Sequence, residues 1–127
     1  MKLKTILILP VIVLTLSIPV AIAQMQGMDQ QKQMQMMTPK SDDPASTKDF
    51  KNVQMDMMKD MNMEFTGNAD VDFSRSMIKH HEGAIAMARI ELKHGKDAEI
   101  RAMAEKIIKD QEKEIADFNA WLKKNAK

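Results

Sequence analysis

The sequence predicts an all-α protein, an antiparallel bundle of three main helices. Three observations lead there. Apolar residues recur at steps of three and four along most of the second half of the chain. Gly67-Asn68 and Gly95 interrupt that rhythm, and the first break is followed by Asp70, a residue able to cap a new helix. The sequence has no strand-like alternation, no Gly-rich loop and no long internal repeat.

The chain opens with Met1-Lys2-Leu3-Lys4, an apolar run from Ile6 to Val20, and Ala21-Ile22-Ala23-Gln24. A basic start, an apolar stretch and a small-x-small ending make a secretory signal peptide over residues 1–23. The run is interrupted by Pro10 and Pro19 and is shorter than the roughly 20 apolar residues a spanning helix needs. The expected location is therefore periplasmic or secreted, with no membrane association after cleavage. The mature chain, residues 24–127, carries 17 basic and 18 acidic side chains. That balance gives no long-range pull on nucleic acid or an anionic membrane. Its length supports one small domain.

Residues 24–46 read as a disordered leader rich in Met and Gln. Met25, Met28, Met34, Met36 and Met37 follow no helical or strand period, and Thr38-Pro39 and Asp43-Pro44 punctuate the segment as turns. The helical-bundle domain occupies 47–127. Its first helix is expected from Thr47, as N-cap, to about Phe65, with Phe50, Val53, Met57, Met61 and Phe65 on its apolar face. The second starts near Asp70 and ends at Gly95, with Phe73, Met77, His81, Ala84, Ala88 and Leu92 sharing a face. The third runs from Asp97 to about Lys124, with Ile100, Ala104, Ile107, Gln111, Ile115, Phe118 and Leu122 together. Short connections make neighbouring helices antiparallel. A fourth position in the bundle could be filled by the leader, by a second protomer as in a dimer, or by nothing.

Methionine is the anomaly of the composition: 14 residues, with no cysteine. All three histidines, His80, His81 and His94, lie in the second helix. Met77 and His81 are one turn apart on its buried face, so both donor atoms can reach one ion. His80, Met87 and His94 form a stripe at intervals of seven on the flank. Across the Gly95 turn, Met103 comes level with Met87, and Gln111 or Glu114 with Met77, His80 and His81. Across the Gly67 turn, Met57 and Met61 come level with the same block. Thioether sulfur is neutral and soft and selects Cu(I), while imidazole suits copper in either oxidation state. A Met and His mixture without Cys therefore points to copper rather than zinc, whose structural sites commonly use thiolate. Taken singly, a Met at helical spacing is more often core filler, and a lone His on a helix is more often hydrogen-bonded than metal-bound.

Glu91-Leu92-Lys93-His94 fits one Glu-x-x-His element of a di-iron bundle, but such sites need a second element and further helical Glu ligands. The third helix has no His. No Ser, Cys or Asp sits in an evident nucleophile arrangement, so the sequence does not read as an enzyme.

The block Asp72-Phe73-Ser74-Arg75-Ser76-Met77-Ile78-Lys79-His80-His81-Glu82-Gly83-Ala84-Ile85-Ala86-Met87-Ala88 resembles the signature of the domain of unknown function 305 family. Glu99-Ile100-Arg101, Ala104, Ile107-Ile108, Gln111, Glu114-Ile115 and Trp121-Leu122 continue the likeness over about residues 70–122. The resemblance implies an exported, ferritin-like helical bundle. Some similar chains, among them a cyanobacterial periplasmic copper-resistance protein, bind copper. Carried over by position, it singles out Met77, His80, His81 and Met87. Met57, Met61, Met103 and His94 rest on the residue pattern alone.

The expectation is a periplasmic or secreted copper-binding protein that sequesters, buffers or hands on Cu(I) or Cu(II), as in copper resistance or homeostasis. Its partners would be copper ions and another copper-handling envelope protein. The alternative is a metal-free envelope interaction module with an adaptable Met-rich surface.

Overall fold

The computed structural model describes residues 31–32 and 34–126. The chain divides into a unit of residues 1–33 and a unit of residues 34–127, and the second contains the architecture that follows. The expected signal peptide, the leader up to residue 30 and Gln33 lie outside the described residues.

Three helices form an all-α bundle: α1, Ala45–Asp60; α2, Ala69–His94; and α3, Ala98–Asn125. Helix α1 begins two residues before the expected Thr47. Asp43 accepts a hydrogen bond from the Lys40 N–H (2.8 Å), and the Pro44 carbonyl then opens the helical ladder by accepting from the Lys48 N–H (3.0 Å). Pro44 is the N-cap and offers no side-chain cap. The segment ahead of it is not irregular throughout: residues 34–37 are helical, and Thr38 closes that turn on the Met34 carbonyl.

At its other end α1 stops at Asp60, five residues short of expectation. The Asn62 N–H turns back to the Lys59 carbonyl (3.2 Å), tightening the last turn, and the Asp72 carboxylate on α2 fixes the connection that follows. It accepts from the Thr66 N–H (2.8 Å), the Thr66 hydroxyl (2.7 Å) and the Gly67 N–H (3.1 Å), holding the connection in a non-helical path. Gly67 turns the chain at φ +84°, where a side chain would be strained. Phe65, expected on the buried face, is consequently 73% exposed.

Helix α2 is capped by Asn68 rather than Asp70: the Asn68 side chain accepts from the Asp70 and Val71 N–H groups. Asp70 and Asp72 instead occupy the first turn, where they favour the positive end of the helix dipole. At the far end the Arg101 guanidinium donates to the carbonyls of Leu92 (2.7 Å) and Gly95 (3.1 Å), satisfying acceptors the helix leaves free. Asp97 caps α3 by accepting from the Glu99 and Ile100 N–H groups.

Helices α1 and α3 each pack on α2, and their own backbones do not approach within 8 Å, Cα to Cα. Burial is concentrated accordingly. Val71, Ser74, His81, Gly83, Ile85, Ala88 and Ile90 are buried on α2, Ala104 on α3, and no residue of α1. The expected continuous buried face of α3 is therefore only partly realised: Ile100 (47%) and Ile107 (43%) stay exposed. They border a groove of about 360 Å³ in which Phe50 of α1, Met87 and Glu91 of α2, and Met103 of α3 meet. No helix among the described residues is long and apolar enough to cross a membrane.

Candidate metal centre

Helix α2 presents its chemistry on two sides. On the side packed against α3, His81 is 4% exposed, the most buried of the histidines. Glu114 and Phe118, one turn apart on α3, flank it. The Phe118 ring stands edge-to-face with the imidazole at 5.9 Å, and Phe73 packs edge-to-face on Phe118 at 5.8 Å. Glu114 Oε2 lies 2.6 Å from His81 Nε2. The carboxylate thus faces Nε2 at ion-pair distance, while Nδ1 is buried with no hydrogen-bonding partner among the described residues. A polar atom so placed costs about 1–3 kcal/mol unless something else engages it.

Met77 stands one turn before His81 and is half-buried. Helical side chains lean toward the N-terminus of their helix, which tilts His81 toward the turn holding Met77. Of the two polar residues expected opposite the histidines, Glu114 makes the approach; Gln111 is half-buried and makes no recorded hydrogen bond. A proton shared toward Glu114 would leave Nδ1 as the free lone pair, the arrangement by which carboxylates orient metal-binding imidazoles.

On the side packed against α1, Met57 sits on Gly83. A Cβ added there would lie 2.6 Å from the Met57 sulfur, so only glycine admits the thioether this close to the α2 backbone. Gly83 is three residues beyond His80, hence Met57 reaches the His80 side of α2 and not the Met77–His81 side. His80 is exposed, its ring 6.1 Å from that of His81. Met61 ends α1 and is 44% exposed, away from the buried centre. Met103, 51% exposed, shares the groove with Met87, as their level placement implied.

His94 has a different environment. Its Nε2 is 2.7 Å from Asp49 Oδ2 on α1, and the Lys93 ammonium meets the same oxygen at 2.7 Å. Hydrogen bonds from Lys93 first, then His94, hold the Asp49 carboxyl below its ordinary value. This trio ties α1 to the end of α2. Fourteen residues of helix separate His80 from His94, roughly 21 Å at 1.5 Å per residue, so one ion cannot take both. Glu91 folds back into the space a Gly95 side chain would need.

No three His, Asp or Glu side chains converge among the described residues. A centre with three protein donors here therefore needs methionine sulfur. His81 with Met77 fits a soft ion of low charge: one imidazole, one neutral thioether, and a half-exposed carboxylate able to move.

Three residues that shape these sites were not among the candidate site residues of the sequence reading. Asp49 and Phe118 act through helix crossings, which a single sequence does not display. Gly83 did leave a signal, because a glycine inside a strong helical pattern marks close approach of another group.

Comparison with known proteins places this arrangement in a wider group. No curated protein matches the chain. The family model described as domain of unknown function (DUF305) matches residues 19–122, and the chain belongs to that family.

Proposed function

We propose that the protein binds copper in the cell envelope, Cu(I) foremost, and sequesters, buffers or hands it on rather than transforming a substrate. The observation that carries this reading is the His81 imidazole, buried with Nε2 held 2.6 Å from the Glu114 carboxylate, Nδ1 without a partner among the described residues, and a thioether one turn away. An ordinary core histidine is hydrogen-bonded. A ring nitrogen placed to receive an ion gains its partner only when the ion arrives. Met77 supplies a donor that needs no deprotonation and discriminates against hard cations. Glu114, 52% exposed, can follow the charge as the site fills.

Anaerobic competition titration of the purified protein tests it, with Cu(I) and Zn(II) offered against indicators of known affinity. Preference for Cu(I), with the tightly bound equivalent held by His81 and Met77 lost on His81→Leu, is the expected result. Equal or tighter Zn(II) binding would overturn the proposal.

The exposed groove where Met87, Met103, Ile100 and Ile107 meet supports a second reading, a metal-free interaction module. That reading predicts no stoichiometric Cu(I) binding in the same titration.

A further inference from the structure

The outer surface of α1 carries a second group of sulfur donors, remote in sequence from His81. Met34 and Met37 lie three apart in the helical turn of residues 34–37, and Met55 and Met58 lie three apart on α1. Side chains three apart share a helix face, so each segment offers a pair of thioethers. The two pairs line one cavity of about 320 Å³, with Lys59 and Asn62 completing its wall.

The connection between the segments is built to bring them together. Thr38 ends the first turn by donating its N–H (3.1 Å) and its hydroxyl (2.9 Å) to the Met34 carbonyl. Lys51 of α1 then reaches Asp43 (2.7 Å) and the Thr38 carbonyl (3.4 Å), and Lys48 reaches the Ser41 carbonyl (2.7 Å). The Lys51–Asp43 pair is well shielded, at 17% and 16% exposure. Two lysines of α1 thus hold the preceding turn against their own helix.

We propose that Met34, Met37, Met55 and Met58 form a thioether site for a monovalent soft cation, Cu(I) or its redox-inert counterpart Ag(I). The site shares no residue with the His81 centre. Packing alone would bury such side chains, yet Met34 is 59% and Met58 48% exposed. Their sulfurs are within reach of an arriving ion. None of the six lining residues is acidic and one is a lysine. Neutral donors beside an ammonium tolerate one positive charge far better than two, which sets the site against Zn(II) and Cu(II). Thioethers also carry no proton to lose. The site therefore keeps its affinity in acid, where an imidazole is protonated and cannot ligate.

That difference separates the two centres experimentally. The full-length protein, labelled with 13C at the methionine methyls, is titrated with Ag(I) at about pH 5, well below the ordinary histidine value of about 6.5. The expected result is a joint shift of the Met34, Met37, Met55 and Met58 methyls, complete at one equivalent and unchanged in His81→Leu. Zn(II) should leave these signals in place. Met34→Leu with Met37→Leu conserves volume on an exposed segment. It should weaken Ag(I) binding by at least about tenfold in Kd while the helical circular dichroism stays the same. Should those two substitutions disturb the fold, Met55→Leu with Met58→Leu gives the same test from the other pair. Shifts scattered over other methionines, undiminished affinity in the folded double variants, or a matching Zn(II) response would each overturn the proposal. Failure of the His81 centre alone would leave the pH 5 titration intact.

Discussion

Replacing His81 by Leu removes a buried Nδ1 that has no hydrogen-bonding partner among the described residues, along with the 2.6 Å contact of Nε2 with Glu114, and substitutes an apolar side chain of similar reach. The unpartnered Nδ1 costs about 1–3 kcal/mol of unsatisfied polarity, and burial of the added apolar surface works in the same direction. Against this stands the edge-to-face contact with Phe118, about 0.5–1.5 kcal/mol. Glu114 loses its neighbour without being stranded, since it is 52% exposed and solvent takes over. The metal-free variant should therefore unfold at the same temperature as the wild type or higher, with a gain of up to about 2 kcal/mol. For a domain of this size that amounts to an upward shift of roughly 8–16 °C at most. Copper should reverse the order. An ion held at 100 times its Kd stabilises the wild type by about 2.7 kcal/mol through linkage, and the variant forgoes that contribution at this centre. Thermal melts followed by circular dichroism, with and without Cu(I), read both effects. A metal-free variant less stable than wild type by 2 kcal/mol or more, with an undiminished copper shift, would refute the reasoning and make His81 a packing residue.

Other expectations follow from the helix contacts. Gly83→Ala gains about 1 kcal/mol of helix propensity and meets Met57, whose flexible thioether can swing away. Denaturant melts should show a stability within about 1 kcal/mol of wild type, the overpacking cost lying at its low end. The Met57 methyl resonance should move; if stability falls by more than 3 kcal/mol, the α1–α2 contact is stiffer than inferred. The carboxyls of Asp43, Asp49 and Asp72 are all held below 3.8, by hydrogen bonds from Lys51, Lys93 and the Thr66 N–H respectively. A carboxyl lowered on folding contributes stability that is present above its unfolded value and lost as pH falls through its folded value. Their contribution should hold down to about pH 4 and disappear below it, and Asp72→Ala should flatten part of that fall in denaturant titrations. An unchanged acid slope in Asp72→Ala would count against its role in holding the Thr66–Gly67 turn.

Periodicity and caps made most of the fold legible. The spacing of Met77, His81, Ala84 and Ala88 reveals a face of α2, and Asp97 announces α3 through its position before an apolar rhythm. Antiparallel levelling also brought Glu114 to His81 and Met103 to Met87. What a rhythm cannot say is whether a partner covers the face it marks. Ile100 and Ile107 carry the apolar spacing of a buried stripe, yet the α1 backbone stays too far from α3 to close over them, leaving a groove bordered by Phe50, and both remain exposed. Likewise Phe65 continues the period of α1 beyond the point where Asp72 withdraws the backbone N–H groups of Thr66 and Gly67. The local pattern lost there to three hydrogen bonds accepted by a residue on the next helix.

The same distinction sorts the histidines. His80, His81 and His94 share one helix, and by spacing alone His80 and His94 appeared to belong to a common stripe with Met87. Their surroundings differ because α2 is the only helix with a neighbour on each side. Facing α1, His94 meets Asp49, and its nitrogen is already committed to holding two helices together. Facing α3, His81 meets an aromatic edge and, through Nε2, the Glu114 carboxylate at 2.6 Å, while its buried Nδ1 has no partner among the described residues. A histidine that ties elements together must give up a partner before it can bind an ion, whereas one with an unpartnered nitrogen gains by binding. The energetic preference for an incoming soft cation therefore falls on His81, and Met77, one turn away without a charge of its own, is the donor placed to share it.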